Sequence, residues 1–121
     1  MIDGTVRSIA PAAQRMRVAT SLGEISTIID ERLKAGDPCI VCVRPENAAI
    51  DGRTAAESNH VAGRVSFAAY MGHTLRYDID AGQGITLKSD IRDPWHHEPV
   101  PMASQVTVSF PVTGTVAIPA R

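Results

Sequence analysis

The chain has few aromatic residues and almost no net charge. Of its 121 residues, 4% are aromatic, and the formal net charge at pH 7 is −1. Proteins that bind nucleic acid by neutralising phosphates carry an excess of Lys and Arg, and those that stack bases need aromatic side chains. The composition therefore argues against a nucleic-acid partner.

The chain also lacks long apolar runs and has only two cysteines. No run approaches the roughly 18 consecutive apolar residues that indicate a membrane span, and the first residues lack the pattern of a signal peptide. Cys39 and Cys42 have the C-x-x-C spacing of some metal and redox sites, but no second pair accompanies them. On a strand they would point to opposite faces, so we expect core cysteines in a soluble domain of a reducing compartment.

Histidines provide a second candidate for a metal site. His96 and His97 are adjacent, between Trp95 and Glu98, and His60 or His73 could join them. Adjacent histidines are poorly placed to bind one ion, because a metal needs its ligands around it in a defined geometry. We therefore expect no metal and no cofactor in this segment.

The main pattern in the sequence is the alternation of apolar and polar residues. From Val61 to Asp80 it marks two strands on either side of Met71-Gly72-His73, and Gly72 can adopt the positive φ of a tight turn. Further alternating or apolar segments occur at short intervals, as in barrels and sandwiches: residues 4–9, 15–19, 25–29, 39–43, 85–89, 106–110 and 116–118. These patterns predict an all-β fold, with a polar surface loop over residues 51–60.

A faint internal similarity runs through the chain. Gly4-Thr5-Val6 resembles Gly63-Arg64-Val65, and residues 39–45 resemble residues 106–111, each an apolar strand that ends at a proline. No sharp change in composition separates the two parts. We predict one compact domain over residues 1–121, built from two similar halves at about 1–59 and 60–121.

Motifs for catalysis are missing. The segment from Gly82 to Ser89 has glycines before a Lys-Ser pair, but a phosphate-binding loop needs glycine directly before the lysine, and here that residue is Leu87. No serine lies in a G-x-S-x-G motif. No carboxylate pair has a setting that would raise one pKa. The sequence predicts a segment that is not an enzyme, without catalytic residues.

The most distinctive polar segment is Arg44-Pro45-Glu46-Asn47, which follows the most apolar strand. Pro45 ends that strand, because proline cannot donate to a β-ladder. The tetrapeptide is either a structural corner or a contact surface for another domain, and the residues alone leave both open. In the hairpin, Arg64, His73 and Arg76 are expected to face outward, where a partner could meet them.

Several of these segments together resemble a known family. Residues 41–50, VCVRPENAAI, are similar to the "(I/V)RPE" segment in the C-terminal regulatory region of ABC importer ATPase subunits, the transport-associated OB (TOBE) domain. Residues 33–37 are similar to the glycine turn before that strand, and residues 105–110 to the family's penultimate strand. The hairpin, with its G-x-V, Y-M-G and R-Y elements, is most like the polyamine and ferric-iron branch.

The resemblance implies a fold and a function. It implies OB-like β-barrels, in two halves, and a non-catalytic regulatory domain of an ABC importer ATPase subunit for polyamine, iron or a similar substrate. The Walker A, signature and Walker B motifs of the ATPase are absent from these residues. The implied partners are a second copy of the subunit, the ATPase domain of the parent chain and, indirectly, the membrane subunits. The implied location is the cytoplasm, peripheral to the inner membrane.

A small-ligand sensor module is the alternative function. OB-like barrels offer a groove on their sheet face. An oxyanion would need backbone N–H groups and hydroxyls, for which Ser104, Thr113 and Thr115 are candidates. A polyamine would need acidic groups, and the candidates are Asp78, Asp80 and Asp90.

Overall fold

The computed structural model describes residues 2–50, 57–92 and 99–120. Apart from short 3-10 turns, the secondary structure of these residues is β-strand. The strands are β1 (Ile2–Ala10), β2 (Arg15–Thr20), β3 (Gly23–Ile28), β4 (Pro38–Val43), β5 (Ala49–Ile50), β6 (Ser58–Met71), β7 (Thr74–Gly82), β8 (Ile85–Arg92), β9 (Gln105–Pro111) and β10 (Thr115–Pro119).

The strands form two antiparallel five-stranded sheets. The order is β10-β4-β1-β2-β3 in one and β5-β9-β6-β7-β8 in the other. In each sheet the two outermost strands, β10 with β3 and β5 with β8, come back into contact, so each sheet curls into a small barrel. We call them the first barrel and the second barrel. The predicted all-β, OB-like fold class is confirmed.

Two strands cross between the barrels. β5 follows the strands of the first barrel in sequence but pairs with β9 of the second, and β10 follows β9 but pairs with β4 of the first. Each crossing strand comes after a 3-10 turn, Pro45–Asn47 before β5 and Val112–Gly114 before β10. The division of the chain into halves at residues 59 and 60 stays a prediction. The strands are not divided at that point, because β6 runs through it and because β5 and β10 each pair in the other barrel.

The barrels repeat the same construction. At Gly4 an added Cβ would lie 2.5 Å from Cγ1 of Val18, and at Gly63 it would overlap Cγ2 of Ile79, so both glycines allow close strand contact. A bulge follows Val6 in β1 and Val65 in β6. The N–H of Val6 donates to Asp37 O at 2.9 Å, and that of Val65 to Ser104 O at 3.0 Å. These matches confirm the internal similarity seen in the sequence.

The Val61–Asp80 hairpin forms as predicted, but its first strand is longer. Gly72 has a φ of 71° in the turn, and the Tyr77 side chain is buried. β6 begins at Ser58, so the predicted loop over residues 51–60 is wrong for Ser58–His60. The alternation of buried residues extends back to Asn59, whose polar side chain made this part resemble a loop.

Candidate interaction site

The segment Arg44–Asn47 forms the junction between the two barrels. Arg44 has extended φ and ψ angles, and Pro45 opens a 3-10 turn in which the N–H of Asn47 donates to Arg44 O at 2.9 Å. Proline suits this position because its fixed φ fits the turn and its missing N–H is not needed there. The Asn47 side chain lies over Gly114, where a Cβ would come within 2.8 Å of Nδ2. The two crossing turns therefore pack against each other.

Within this junction the charged side chains point away from the corner. The Arg44 side chain is 80% exposed, and its Nη1 atom lies 4.0 Å from Oε2 of Glu46. Such a distant and exposed pair contributes little to stability. Beside it is a depression of about 530 Å³, whose walls include Cys42, Thr113 and Val116. The segment is thus a structural corner at Pro45 and Asn47, and it presents Arg44 and Glu46 to solvent.

Arg76 is tied to a neighbouring strand. It lies directly opposite Asp90, and its Nε and Nη2 atoms donate to the carboxylate at 2.7 and 2.8 Å. The hydrogen bonds from Arg76 lower the pKa of Asp90, and burial opposes them. The hydrogen bond to Asp90 is also the main cause of the raised pKa of Arg76, to which the charge of Glu46 contributes slightly. Because β8 packs against Pro45–Asn47, this ion pair lies near the junction.

Arg64 and His73 lie on other parts of the second barrel. Arg64 is exposed on β6, opposite Asp80 on one side and Gln105 on the other, beside a shallow depression of about 280 Å³. His73 is exposed in the hairpin turn. The structure therefore brings Arg76 near the Arg44–Asn47 segment, whereas Arg64 and His73 lie far apart along the β6–β7 hairpin.

The acidic residues suggested for a polyamine are already engaged. Asp78 accepts from Lys88 Nζ at 3.0 Å, Asp80 accepts from the N–H of Gly82 at 2.8 Å, and Asp90 pairs with Arg76. Among the oxyanion candidates, the buried Thr115 donates its hydroxyl to Pro111 O at 2.8 Å. Over the described ranges no three His, Cys, Asp or Glu side chains converge as metal ligands. Residues 95–98 lie outside the described residues.

Sequence reasoning missed a polar contact across the two barrels. The buried Asn59 of β6 accepts from the N–H of Ser26 at 2.8 Å and donates to the carbonyl of Ser26 at 2.9 Å. The Asn59 amide thus makes the same two hydrogen bonds with Ser26 of β3 that the backbone of a neighbouring strand would make. Arg15 and Glu57 form an ion pair nearby. The sequence signal was the period-2 alternation of Val61 and Val65, which continues backwards to Asn59.

An apolar cavity of about 100 Å³ lies between the barrels. Its lining includes Ile2, Val41, Leu87 and Phe110, with Lys88 as its charged residue. The Lys88 amine is paired with Asp78. Ligand sites usually have a volume of roughly 300 Å³ or more. This cavity is smaller, so we interpret it as a gap in the packing of the core and not as a binding site.

Comparisons with known proteins give one family and one relative. The family model described as "TOBE domain" matches residues 41–118. The spermidine/putrescine import ATP-binding protein PotA of Pseudomonas aeruginosa (strain UCBPP-PA14) is 27% identical over 92 residues, which are 74% of this chain and 25% of the relative. This chain therefore spans only about a quarter of the length of that protein.

A solved structure resembles the whole fold. The cytoplasmic molybdate-binding protein ModG, in a form with molybdate bound, superposes with a TM-score of 0.81 at 12% identity, covering 96% of this chain and 92% of that chain. At this identity the likeness concerns the fold alone. Among the described residues, no helix has the length and apolar character needed to cross a membrane.

Proposed function

Because this chain belongs to the TOBE domain family, we propose that it is the non-catalytic regulatory domain of an ABC importer ATPase subunit, for a polyamine or a similar substrate. The observation that carries this proposal is the similarity to a polyamine import ATP-binding protein over 74% of the chain. That relative is about four times as long as the matched part, so ATP hydrolysis is assigned to the remainder of the parent subunit. The domain would work in the cytoplasm, held at the inner membrane by the transporter.

The domain would act by conformational bias. In the assembled transporter two copies would lie beside the pair of ATPase domains and contact one another and those domains. A regulatory domain can shift the balance between open and closed ATPase dimers only if its contacts differ in strength between those two states. The structure supports this role with exposed charges on a rigid frame, since Arg44 and Glu46 stand on a packed junction between two closed barrels.

Two surfaces would divide the contacts. We assign Arg44, Pro45, Glu46 and Asn47 to the contact with the parent ATPase domain, because Arg44 and Glu46 are exposed there and the Arg76–Asp90 pair lies near the same junction. Arg64 and His73, which are exposed at different places along the β6–β7 hairpin, are assigned to the contact with the second copy. Arg76 would act by supporting the first surface, since its guanidinium is bound to Asp90.

The small-ligand sensor receives less support. A polyamine would have to displace Lys88 from Asp78 or Arg76 from Asp90 to reach those carboxylates. An oxyanion bound through the Thr115 hydroxyl would have to break the bond of that hydroxyl to Pro111 O. No observation on the described residues favours this function over the regulatory one.

The experiment compares two pairs of substitutions in the reconstituted transporter. Arg44→Ala with Glu46→Ala removes an exposed pair at 4.0 Å in the junction, and Arg17→Ala with Glu24→Ala removes an exposed pair at 3.9 Å on the first barrel. We expect the first variant to reduce the stimulation of ATP hydrolysis by transported substrate about fivefold, a typical coupling between sites, and the second to leave it unchanged.

The same assay on a subunit cut before Ile2 of this domain tests regulation as a whole. We expect substrate-stimulated and basal ATP hydrolysis to become equal. If the cut subunit keeps normal coupling and regulation, the regulatory function proposed for the domain is wrong.

A further inference from the structure

One strand of the first barrel is apolar on both faces. On the inner face of β4, Cys39 and Val41 are buried. On the outer face, Ile40 and Cys42 are only partly covered. The strand β10 continues this outer surface, because Ile118 lies directly opposite Ile40 and Val116 directly opposite Cys42. Val116 and Ile118 are each 36% exposed. These four residues form what we call the β4–β10 strip.

The second barrel shows that the fold does not require this strip. In the first barrel Gly4 pairs with Cys39, and in the second the equivalent Gly63 pairs with Val106, which aligns β4 with β9. The positions equivalent to Ile40 and Cys42 are then Thr107, which is exposed, and Ser109, which is buried, and the position equivalent to Val116 is Ala49. The outer face of an antiparallel sheet is normally polar when it faces water. Thr107 is thus the exposed β9 position of this face in the second barrel, and it is polar, whereas its equivalent Ile40 and the neighbouring Ile118 are apolar. This difference indicates that the outer face of the first barrel is covered in the working protein.

The strip borders both the junction between the two barrels and the start of the domain. Cys42 and Val116 line the depression of about 530 Å³ that also contains Arg44 and Glu46. Ile2, at the beginning of β1, lies opposite Val41 in the antiparallel β1–β4 pair. A polypeptide that enters the domain at Ile2 therefore arrives beside Cys42.

We propose that the β4–β10 strip is the docking surface for the ATPase domain that precedes this domain in the same polypeptide. The inference rests on the proposed function, which places an ATPase domain before Ile2. The strip exposes on the order of a few hundred Å², whereas a stable complex of separate proteins buries about 800 Å² on each partner. A domain tethered at Ile2 needs less area, because the connection gives it a high effective concentration at the strip. The size of the strip thus favours a domain of the same chain over a second copy.

Native cysteines allow a direct test in the full-length parent subunit. N-ethylmaleimide is added, and the modified peptides are quantified by mass spectrometry over time. We expect Cys42 to react at least about tenfold more slowly than a cysteine placed at Thr107, the exposed position equivalent to Ile40. Cys39 is buried in the barrel and should stay unmodified in every sample, which reports that the domain remains folded.

A second variant separates docking from burial within the domain. Val116→Thr, which keeps the side-chain volume, and Ile118→Thr, which also removes one carbon, place two hydroxyl groups on the strip. If the ATPase domain covers the strip, the reaction of Cys42 should accelerate at least about fivefold in this variant, since the apolar contact is weakened. If Cys42 reacts with N-ethylmaleimide at the same rate in the wild-type subunit and in the variant, whether that rate is slow or fast, the proposal is wrong.

Two further measurements, dilution of the sample and ATP hydrolysis, show which part of the proposal is wrong if the expected protection of Cys42 is not found. Protection of Cys42 that disappears on dilution would show that a second copy covers the strip, and would also overturn the proposal. ATP hydrolysis is measured on the same samples: an active subunit whose Cys42 reacts freely contradicts the docking surface alone. A parent polypeptide without ATP hydrolysis contradicts the proposed function, and with it the assigned occupant.

Discussion

At the scale of single residues, the ion pair between Arg76 and Asp90 changes the role expected for Arg76. The sequence placed Arg76 on the outer face of a strand, free to meet a partner. The structure places it opposite Asp90, with both hydrogen bonds of a bidentate pair. This pairing depends on the register between β7 and β8, which alternation within one strand does not specify.

The pair makes stability depend on pH. Because Arg76 lowers the pKa of folded Asp90, the carboxylate stabilises the fold above its ordinary pKa of 3.8, and the contribution is lost as the pH falls through the lowered value. Asp90→Asn should reduce the free energy of unfolding by about 1 kcal/mol at pH 7, a value discounted for partial exposure. The difference from wild type should shrink below pH 3.8. Urea unfolding from pH 7 to pH 2.5 measures it.

The control for this prediction is Asp3→Asn, a neutralised carboxylate at an exposed position of β1. It should change the free energy of unfolding by less than about 0.5 kcal/mol at each pH. A loss in Asp90→Asn that stays constant down to pH 2.5 would show that shape, and not the charge of Asp90, stabilises the fold.

At the scale of strands, local alternation predicted most segments but not their irregularities. The hairpin of β6 and β7 and its turn at Gly72 followed from period-2 patterns and one glycine. The bulge after Val65, the start of β6 at Ser58 and the extension of β8 to Arg92 did not. Each of these depends on which strand lies alongside, and a single segment of sequence does not contain that information.

At Gly63 the close contact between β6 and β7 can be tested by a substitution. It lies opposite β7, where a Cβ would overlap Cγ2 of Ile79 and lie 3.0 Å from the carbonyl oxygen of Asp80. Gly63→Ala should therefore lower the free energy of unfolding by about 1–3 kcal/mol, as for other overpacked cores. The matched change Ala62→Ser, at the exposed neighbour, should be nearly neutral. Equal urea midpoints for both variants would show that β6 and β7 are not in close contact there.

At the scale of the whole molecule, the resemblance to a family predicted more than the residues did on their own. It implied OB-like barrels in two halves, and the two five-stranded sheets agree. The crossing of β5 and β10 was not predicted, because both strands are short and their partners are distant in sequence. The charged residues of the candidate site were found from their position after an apolar strand, but the β4–β10 strip needed the second barrel as a comparison.

The contact between the barrels is a property of the whole molecule that a single substitution can test. Asn59→Ala removes both hydrogen bonds to the backbone of Ser26 and leaves a partly buried N–H and C=O without that partner. The free energy of unfolding should fall by about 2–4 kcal/mol. His60→Ala, at the exposed next position, is the control and should be nearly neutral. If calorimetry gives the same melting temperature for Asn59→Ala and wild type, the amide does not hold the barrels together.

The exchange of β5 and β10 has a consequence for how the protein is made. The first barrel is completed by Thr115–Pro119, which the ribosome adds after all the other strands that the structure describes. Domains commonly fold as they emerge during synthesis, the N-terminal one first. Here β4 keeps an open edge until the whole second barrel and β10 have been made, although all other strands of its own barrel are made early. The first barrel therefore stays open until β10 has been made, and its unpaired strand edge can pair with other chains during that interval.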